Sequence, residues 1–384
     1  MITRNNRIGS VYSMERLIVK NFGPLKDIDI ELNKINLFIG KNGSGKSVLA
    51  KLITVLLDLT FQNEKKIFKN LSEYNINYIV DKTIIRVYNN NGLYLEMKSQ
   101  TFTFKQALIY NEIDKCFEQG LYQGEKLTIA EEECNKLNLI EKEKVFNKIK
   151  SRYIPAERNL ISLFNKAITN FLLIEDFPLP KFLLQFTSEF EKAGNELKEL
   201  AFLDVKYVNG DGLDRHKVYF NDEDYLSLEH SSSGIQSALP LYLTVKYFAQ
   251  KHKSIIIEEP EQNLFPKAQT ETIKYIIEQV SSENELFLMT HSPYVLSTLN
   301  ILMMAHKVGN LSTEVKTKVD ALIPESQWLN RDEFSAYYLK DGEARDIKGN
   351  TGLISENEID EVSDEIAYEF DELLELYSEY SDDR

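Results

Sequence analysis

Two stretches of this 384-residue sequence place side chains where they could do chemistry on a phosphate. The first is GKNGSGKS, which runs Gly40, Lys41, Asn42, Gly43, Ser44, Gly45, Lys46 and Ser47. Glycines ahead of a lysine and a serine let successive backbone N–H groups curl around a β-phosphate, and a helix starting there adds its positive end. In such a loop Lys46 reaches the β- and γ-phosphates and Ser47 holds Mg²⁺. The loop also lies between an apolar strand pattern, INLFIG, and a helical one, SVLAKLITVLLDL, which is the context that makes the motif specific. The expected ligand is a nucleoside triphosphate, ATP, with Mg²⁺.

The second stretch is SIIIEEPEQNLFP, residues 254–266. A run of β-branched residues bounded by polar ones reads as a buried strand of a parallel sheet, and open α/β sheets bind ligands at the carboxyl ends of such strands. Taken alone, Glu258 and Glu259 read as a solvated rim, because glutamates usually stay exposed. A phosphate loop elsewhere in the chain changes that balance. A nucleotide site needs a carboxylate to orient Mg²⁺ and a hydrolase needs a base for the attacking water. Glu258 is expected to serve the metal together with Ser47, and Glu259 to serve as the base.

SSSGIQS and MTHSP refine the reading. Here the sequence resembles the ABC-type ATPases of the AAA family, whose LSGGQ signature aligns with Ser232, Ser233, Gly234, Ile235 and Gln236. Ile235 replaces the second signature glycine. The resemblance implies that Ser233 and Gly234 reach the γ-phosphate of a second subunit's ATP, and that His291 is the switch histidine. Within that class the chain looks like the stand-alone prokaryotic ATPases related to the OLD (overcoming lysogenisation defect) family and the SMC-like recombination ATPases. NFGPLKDIDIEL, YIPAERN, IIIEEPEQNLFP and THSPYVL carry this likeness over about residues 14–300. Where the class has its glutamine loop this chain has PAER. Glu157 or Arg158 is therefore a candidate sensor of the γ-phosphate or of bound water, with an internal ion pair as the equal alternative. OLD nucleases add a Toprim domain with an Asp-x-Asp pair. No such pair follows His291, so no nuclease of the chain's own is expected.

These residues need a scaffold, and the pattern supplies one. ERLIVKN, LKDIDIEL and INLFIG read as three N-terminal strands with FGP as a turn, and TIIRVYNNNGLYLEMK as a hairpin around Asn91-Gly92. LDVKYVNGDGLDRHKVYF reads as a second hairpin, YYLKDGEARDI as a small third one. The expected fold is α/β: a P-loop NTPase with an ABC-ATPase-like head, N-terminal antiparallel strands, a mixed sheet core and an inserted helical lobe. The expected layout is a flexible leader (1–13), an N-terminal ATPase lobe with the phosphate loop (14–102) and a helical lobe (103–203). A C-terminal ATPase lobe follows (204–310), with signature, acidic strand and switch histidine, then an extension (311–384).

Composition excludes little else. Apolar residues at 43% and charged ones at 27% describe a globular chain, and no apolar run approaches a membrane span. Cys116 and Cys134 fit no metal or disulfide pattern, so a reducing cytoplasm is the expected location. The net charge of −15 is concentrated: residues 355–384 hold 13 Asp/Glu against one Arg, leaving −3 for the rest. That tail also spaces Ile359, Val362, Ile366, Phe370, Leu373 and Tyr377 by threes and fours, an amphipathic helix expected to dock on the protein's own body. The resemblance implies an ATP-driven switch, a homodimer or higher homo-oligomer joined through its ATP sites, in a prokaryotic defence system with a separately encoded nuclease or toxin as effector. The alternative is a DNA-repair ATPase that clamps duplex DNA in its ATP-bound state. DNA remains a possible partner and a membrane is not expected.

Overall fold

The structure is a computed structural model, and it describes residues 14–58, 64–89, 92–98, 100–104, 151–164, 180–210, 215–280, 283–355 and 367–377. Most of the expected helical lobe and the leader lie outside these residues.

Among the described residues, eleven strands form one mixed sheet. In chain order they are β1 (Arg16–Phe22), β2 (Leu25–Glu31), β3 (Ile35–Ile39), β4 (Ile84–Asn89), β5 (Gly92–Lys98), β6 (Thr101–Phe104) and β7 (Ser151–Ile154). A second sheet intervenes with β8 (Glu199–Phe202), β9 (Val205–Asn209), β10 (His216–Tyr219) and β11 (Tyr225–Ser227). The main sheet resumes with β12 (Ser254–Glu258), β13 (Glu285–Thr290), β14 (Phe334–Lys340) and β15 (Glu343–Asp346). Its spatial order is β6-β5-β4-β1-β2-β15-β14-β3-β13-β12-β7. The half from β14 to β7 is parallel, and β1, β2, β4, β5 and β6 pair antiparallel. This is the expected mixed sheet with N-terminal antiparallel strands.

The parallel half is apolar on both faces, and the alternation of side chains along each strand shows why. On β12, Ile255 and Ile257 belong to one hydrophobic core while Ile256 between them belongs to the other. On β13, Leu286 and Leu288 face the first core and Phe287 and Met289 the second. Three isoleucines in a row are what a strand needs when neither face meets water.

Helices cover these faces: α1 (Lys46–Leu57), α2 (Glu64–Glu73), α3 (Lys181–Leu197), α4 (Ser233–Ala249), α5 (Pro266–Gln279) and α6 (Pro293–Gly309), while α7 (Thr313–Asp320) buries no residue. α1 carries the second core through Leu49, Leu52, Ile53 and Leu56, and α4 the first through Leu239, Leu241 and Val245.

Three features were not foreseen in the sequence. First, β8 and β11 flank the β9–β10 hairpin to make a four-stranded sheet. Second, β14 and β15 form the expected hairpin, but it lies inside the main sheet. β14 runs parallel to β3 inside the main sheet, and FSAYYL is buried throughout, so the segment after residue 311 contributes to the core. Third, residues 367–377 are helical, but Phe370, Leu373 and Tyr377 are 60%, 63% and 72% exposed. Over these residues the tail does not dock on the body as expected. Glu369, Asp371, Glu372 and Glu375 line the same turns, and desolvating carboxylates opposes burial.

Candidate nucleotide site

The site is made by register. Ile39 at the end of β3 lies opposite Thr290 of β13, Met289 opposite Glu258 of β12, and Ile257 opposite Ile154 of β7. Four parallel strands therefore end level. The phosphate loop leaves β3, His291 leaves β13, Glu258 and Glu259 end β12, and Pro155–Arg158 leave β7. This carboxyl edge is where a parallel sheet presents open loops to a ligand.

The phosphate loop is built around its glycines. Gly45 caps α1 with φ +99°, and a side chain there would place Cβ 2.8 Å from Leu25 Cδ2. Gly40 has φ +155°, and a Cβ would collide with the Leu339 carbonyl of β14. No side chain caps α1, so its first N–H groups are open to an anion. Gly40 is buried, Lys41, Asn42 and Gly43 are exposed, and Ser44 is half-buried with its hydroxyl unpartnered. Ser47 is exposed.

Lys46 is buried and donates from Nζ to the carbonyls of Gly40 at 2.5 Å and Lys41 at 3.1 Å. Burial pushes its pKa down, and the charges of Glu259, Glu261 and Glu258 act against that. The loop thus holds a desolvated ammonium in front of three carboxylates.

Glu258 ends β12 with 3% of its surface exposed. Burial lifts its carboxyl to about 7, against the opposing pull of Lys51 and of the Tyr153 and Ser47 hydroxyls. Oε1 itself has no hydrogen-bond partner within the protein. An orphaned carboxylate oxygen beside a serine hydroxyl fits a divalent cation held mainly by phosphate oxygens and water. Among the described residues no group of three or more His, Cys, Asp or Glu side chains is placed to hold a metal by itself. Ser47 and Glu258 therefore suit Mg²⁺ arriving with a nucleotide, as Mg²⁺ prefers.

Glu259 is half-buried, with its backbone at φ +44° and its N–H donating to the Met289 carbonyl at 2.8 Å. A non-glycine residue in this region carries about 1–3 kcal/mol of strain and is found at functional sites. His291, 45% exposed, places Nδ1 3.7 Å from Glu259 Oε1 and 4.0 Å from Glu261 Oε1. The structure thus brings Lys46, Glu258, Glu259 and His291 to one edge.

Ser233 and Gly234 form the first turn of α4, capped by Ser232, whose Oγ accepts from the Ile235 N–H at 3.4 Å. Ser233 is exposed. Gly234 packs so closely on the loop after Glu259 that a Cβ would lie 3.0 Å from the Asn263 carbonyl. Gln236 turns inward and donates to the carbonyls of Glu229 and Ser231 at 3.0 and 2.9 Å, bracing the signature loop.

Of the two PAER candidates, Arg158 departs from both expected roles, the sensor and the ion pair. Glu157 is exposed. Arg158 is fully buried, and its guanidinium donates to four backbone carbonyls rather than to a ligand or a carboxylate. A planar fork of five N–H donors suits a cluster of carbonyls better than a single acid does.

Sequence reasoning missed two members of the site. Glu261 is 6% exposed; its Oε1 accepts from the Thr290 hydroxyl at 2.7 Å and the His291 N–H at 3.1 Å, while Oε2 is unpartnered. A third acid in EEPEQ, directly after the proline, was the available signal. Tyr153 gave none, because a tyrosine in a buried strand is common.

Residues 14–184 and 89–296 match the model of the AAA ATPase domain family. The chain belongs to that family. The matched span includes the phosphate loop, the acidic strand and His291. It is 21% identical over 313 residues to an OLD nuclease of Thermus scotoductus, covering 73% of this chain and 59% of that protein. The chain thus spans somewhat less than two thirds of that relative's length. Among solved structures, it is similar to the SMC head domain from Thermotoga maritima, at 10% identity, 87% and 98% coverage and a TM-score of 0.37. It is also similar to an ATP-binding cassette of an ABC transporter in its ADP conformation, at 15% identity, 88% and 92% coverage and a TM-score of 0.37. Among the described residues, no helix of this ATPase domain is long and apolar enough to cross a membrane.

Proposed function

We propose that the chain hydrolyses ATP with Mg²⁺ and works as a homodimeric or higher-order switch whose ATP-closed state engages a separately encoded effector, a nuclease or toxin, in prokaryotic defence against phage. The observation that carries the hydrolytic reading is the convergence of Lys46, Ser47, Glu258, Glu259 and His291 on one sheet edge, with Glu258 Oε1 buried and unsatisfied.

Each side chain has a definite task in that reading. Lys46 exchanges the Gly40 and Lys41 carbonyls for β- and γ-phosphate oxygens. Ser47 and Glu258 would hold Mg²⁺, which when bound neutralises charge on the phosphates. Glu259, whose Oε1 lies near His291, accepts the proton of the attacking water. His291, 3.7 Å from Glu259 Oε1, keeps that carboxylate oriented. Ser233 is exposed at the start of α4, where a second copy can present its phosphates to it.

The defence role is supported by the likeness to an OLD nuclease. The test is the rate of ATP hydrolysis per chain across protein concentration. The rate per chain rises as dimers form; a rate that stays constant in a protein shown to be monomeric throughout contradicts the dimeric switch, and no hydrolysis contradicts the ATPase.

A further inference from the structure

Among the described residues, Arg158 is the largest side chain with no exposed surface. Its donors reach three separate segments. Nε donates to Ser237 O at 3.1 Å, on the second turn of α4, the helix that the signature loop begins. Nη1 donates to Pro155 O at 3.1 Å and Glu258 O at 2.8 Å, and Nη2 to Glu259 O at 2.6 Å. A buried guanidinium costs desolvation, and burial indeed lowers its pKa to about 10, so it is still charged at neutral pH. A fold that only needed volume here could use an apolar side chain without that penalty.

What Arg158 holds is the strained residue of the site. Three hydrogen bonds hold the left-handed backbone of Glu259: its N–H donates to the Met289 carbonyl, and its carbonyl accepts from the Gln262 N–H at 3.0 Å and from Arg158 Nη2, the one side chain among them. The direction of the Glu259 side chain follows from that backbone. A carboxylate displaced by about 1 Å from its water loses on the order of 10²-fold in rate.

We propose that Arg158 is a positioning residue for the hydrolytic step: it fixes the aim of Glu259 and joins the catalytic turn to the signature helix α4, so that the two form one body. The proposal rests on the ATPase reading given above. Arg158 touches no substrate and acts through Glu259. Lysine cannot replace it, because a single ammonium presents its donors from one point and cannot span carbonyls on α4, β12 and the turn before Arg158 at once.

The experiment is a double-mutant cycle of Arg158→Lys and Glu259→Gln in the full chain. kcat is expressed per bound nucleotide, measured with a fluorescent ATP analogue, so that misfolded molecules drop out of the count. Arg158→Lys is expected to lose about 10²-fold in kcat, with nucleotide affinity held within about threefold of wild type. The double variant is expected to be no slower than Glu259→Gln alone, because residues acting as one unit are non-additive. Arg158→Ala adds a second readout: methylguanidinium should restore part of kcat without changing affinity. Full kcat per bound nucleotide in Arg158→Lys, equal losses of kcat and affinity, or strict additivity with Glu259→Gln overturns the proposal while the ATPase reading stands. A wild-type protein without hydrolysis sinks both.

Discussion

Replacing Glu258 by glutamine should make the nucleotide-free protein more stable at alkaline pH. Burial raises the Glu258 carboxyl from 4.5 to about 7 in the folded chain. Between those values the native state holds a proton that the unfolded state has released, so stability falls as pH rises through that window. At about 1.4 kcal/mol per pKa unit, the penalty is fully developed above pH 7 and amounts to about 3 kcal/mol. Glutamine keeps the shape and removes the charge. An unfolding entropy of about 2.1 cal/mol/K per residue gives this chain about 0.8 kcal/mol/K, so 3 kcal/mol corresponds to about 4 °C in Tm. The assay is thermal unfolding of wild type and Glu258→Gln in EDTA at pH 4 and pH 8. The variant should gain about 4 °C at pH 8 and little at pH 4, and Mg²⁺ with ATP should stabilise it far less than wild type. A variant less stable than wild type at pH 8, or equally stabilised by Mg²⁺ and ATP, refutes the argument that this carboxylate is kept uncompensated for a cation.

Lys46→Ala should abolish ATP binding by equilibrium titration, since it deletes the charge facing the β- and γ-phosphates; near wild-type affinity would contradict the loop assignment. His291→Ala should lower kcat by about 10²-fold with KM little changed, because the imidazole lies beside Glu259 rather than in the phosphate loop. A parallel loss of affinity would place His291 in binding instead.

The local chemistry of the site was legible in the sequence, and its assembly only partly so. Residues 40–47 declare themselves because a phosphate loop needs glycines at fixed positions, and Gly40 and Gly45 do sit where a Cβ meets Leu339 and Leu25. Glu258 was legible because three isoleucines fix a strand doubly buried between two cores, so the next residue must stand at its carboxyl end. The role of Arg158 was not, because its partners are backbone carbonyls, and no residue type announces a carbonyl acceptor. β14 escaped for a different reason. A short, mostly apolar run leading into a DG turn fits a small hairpin as well as a central strand, and only the parallel pairing with β3 decides it. The tail shows the reverse case. Its 3–4 spacing correctly indicated a helix over 367–377, but periodicity states which face is apolar and not what covers it.

The account stands most directly on Glu259. Glu259→Gln removes the water's proton acceptor and leaves the Lys46, Ser47 and Glu258 contacts intact. The decisive measurement is the molar mass of this variant by light scattering, in Mg²⁺ with ATP and in Mg²⁺ with ADP. The account predicts at least twice the monomer mass with ATP, persisting for hours because hydrolysis is blocked, and a smaller species with ADP. An unchanged mass in the two nucleotides, with ATP shown to be bound, would contradict it.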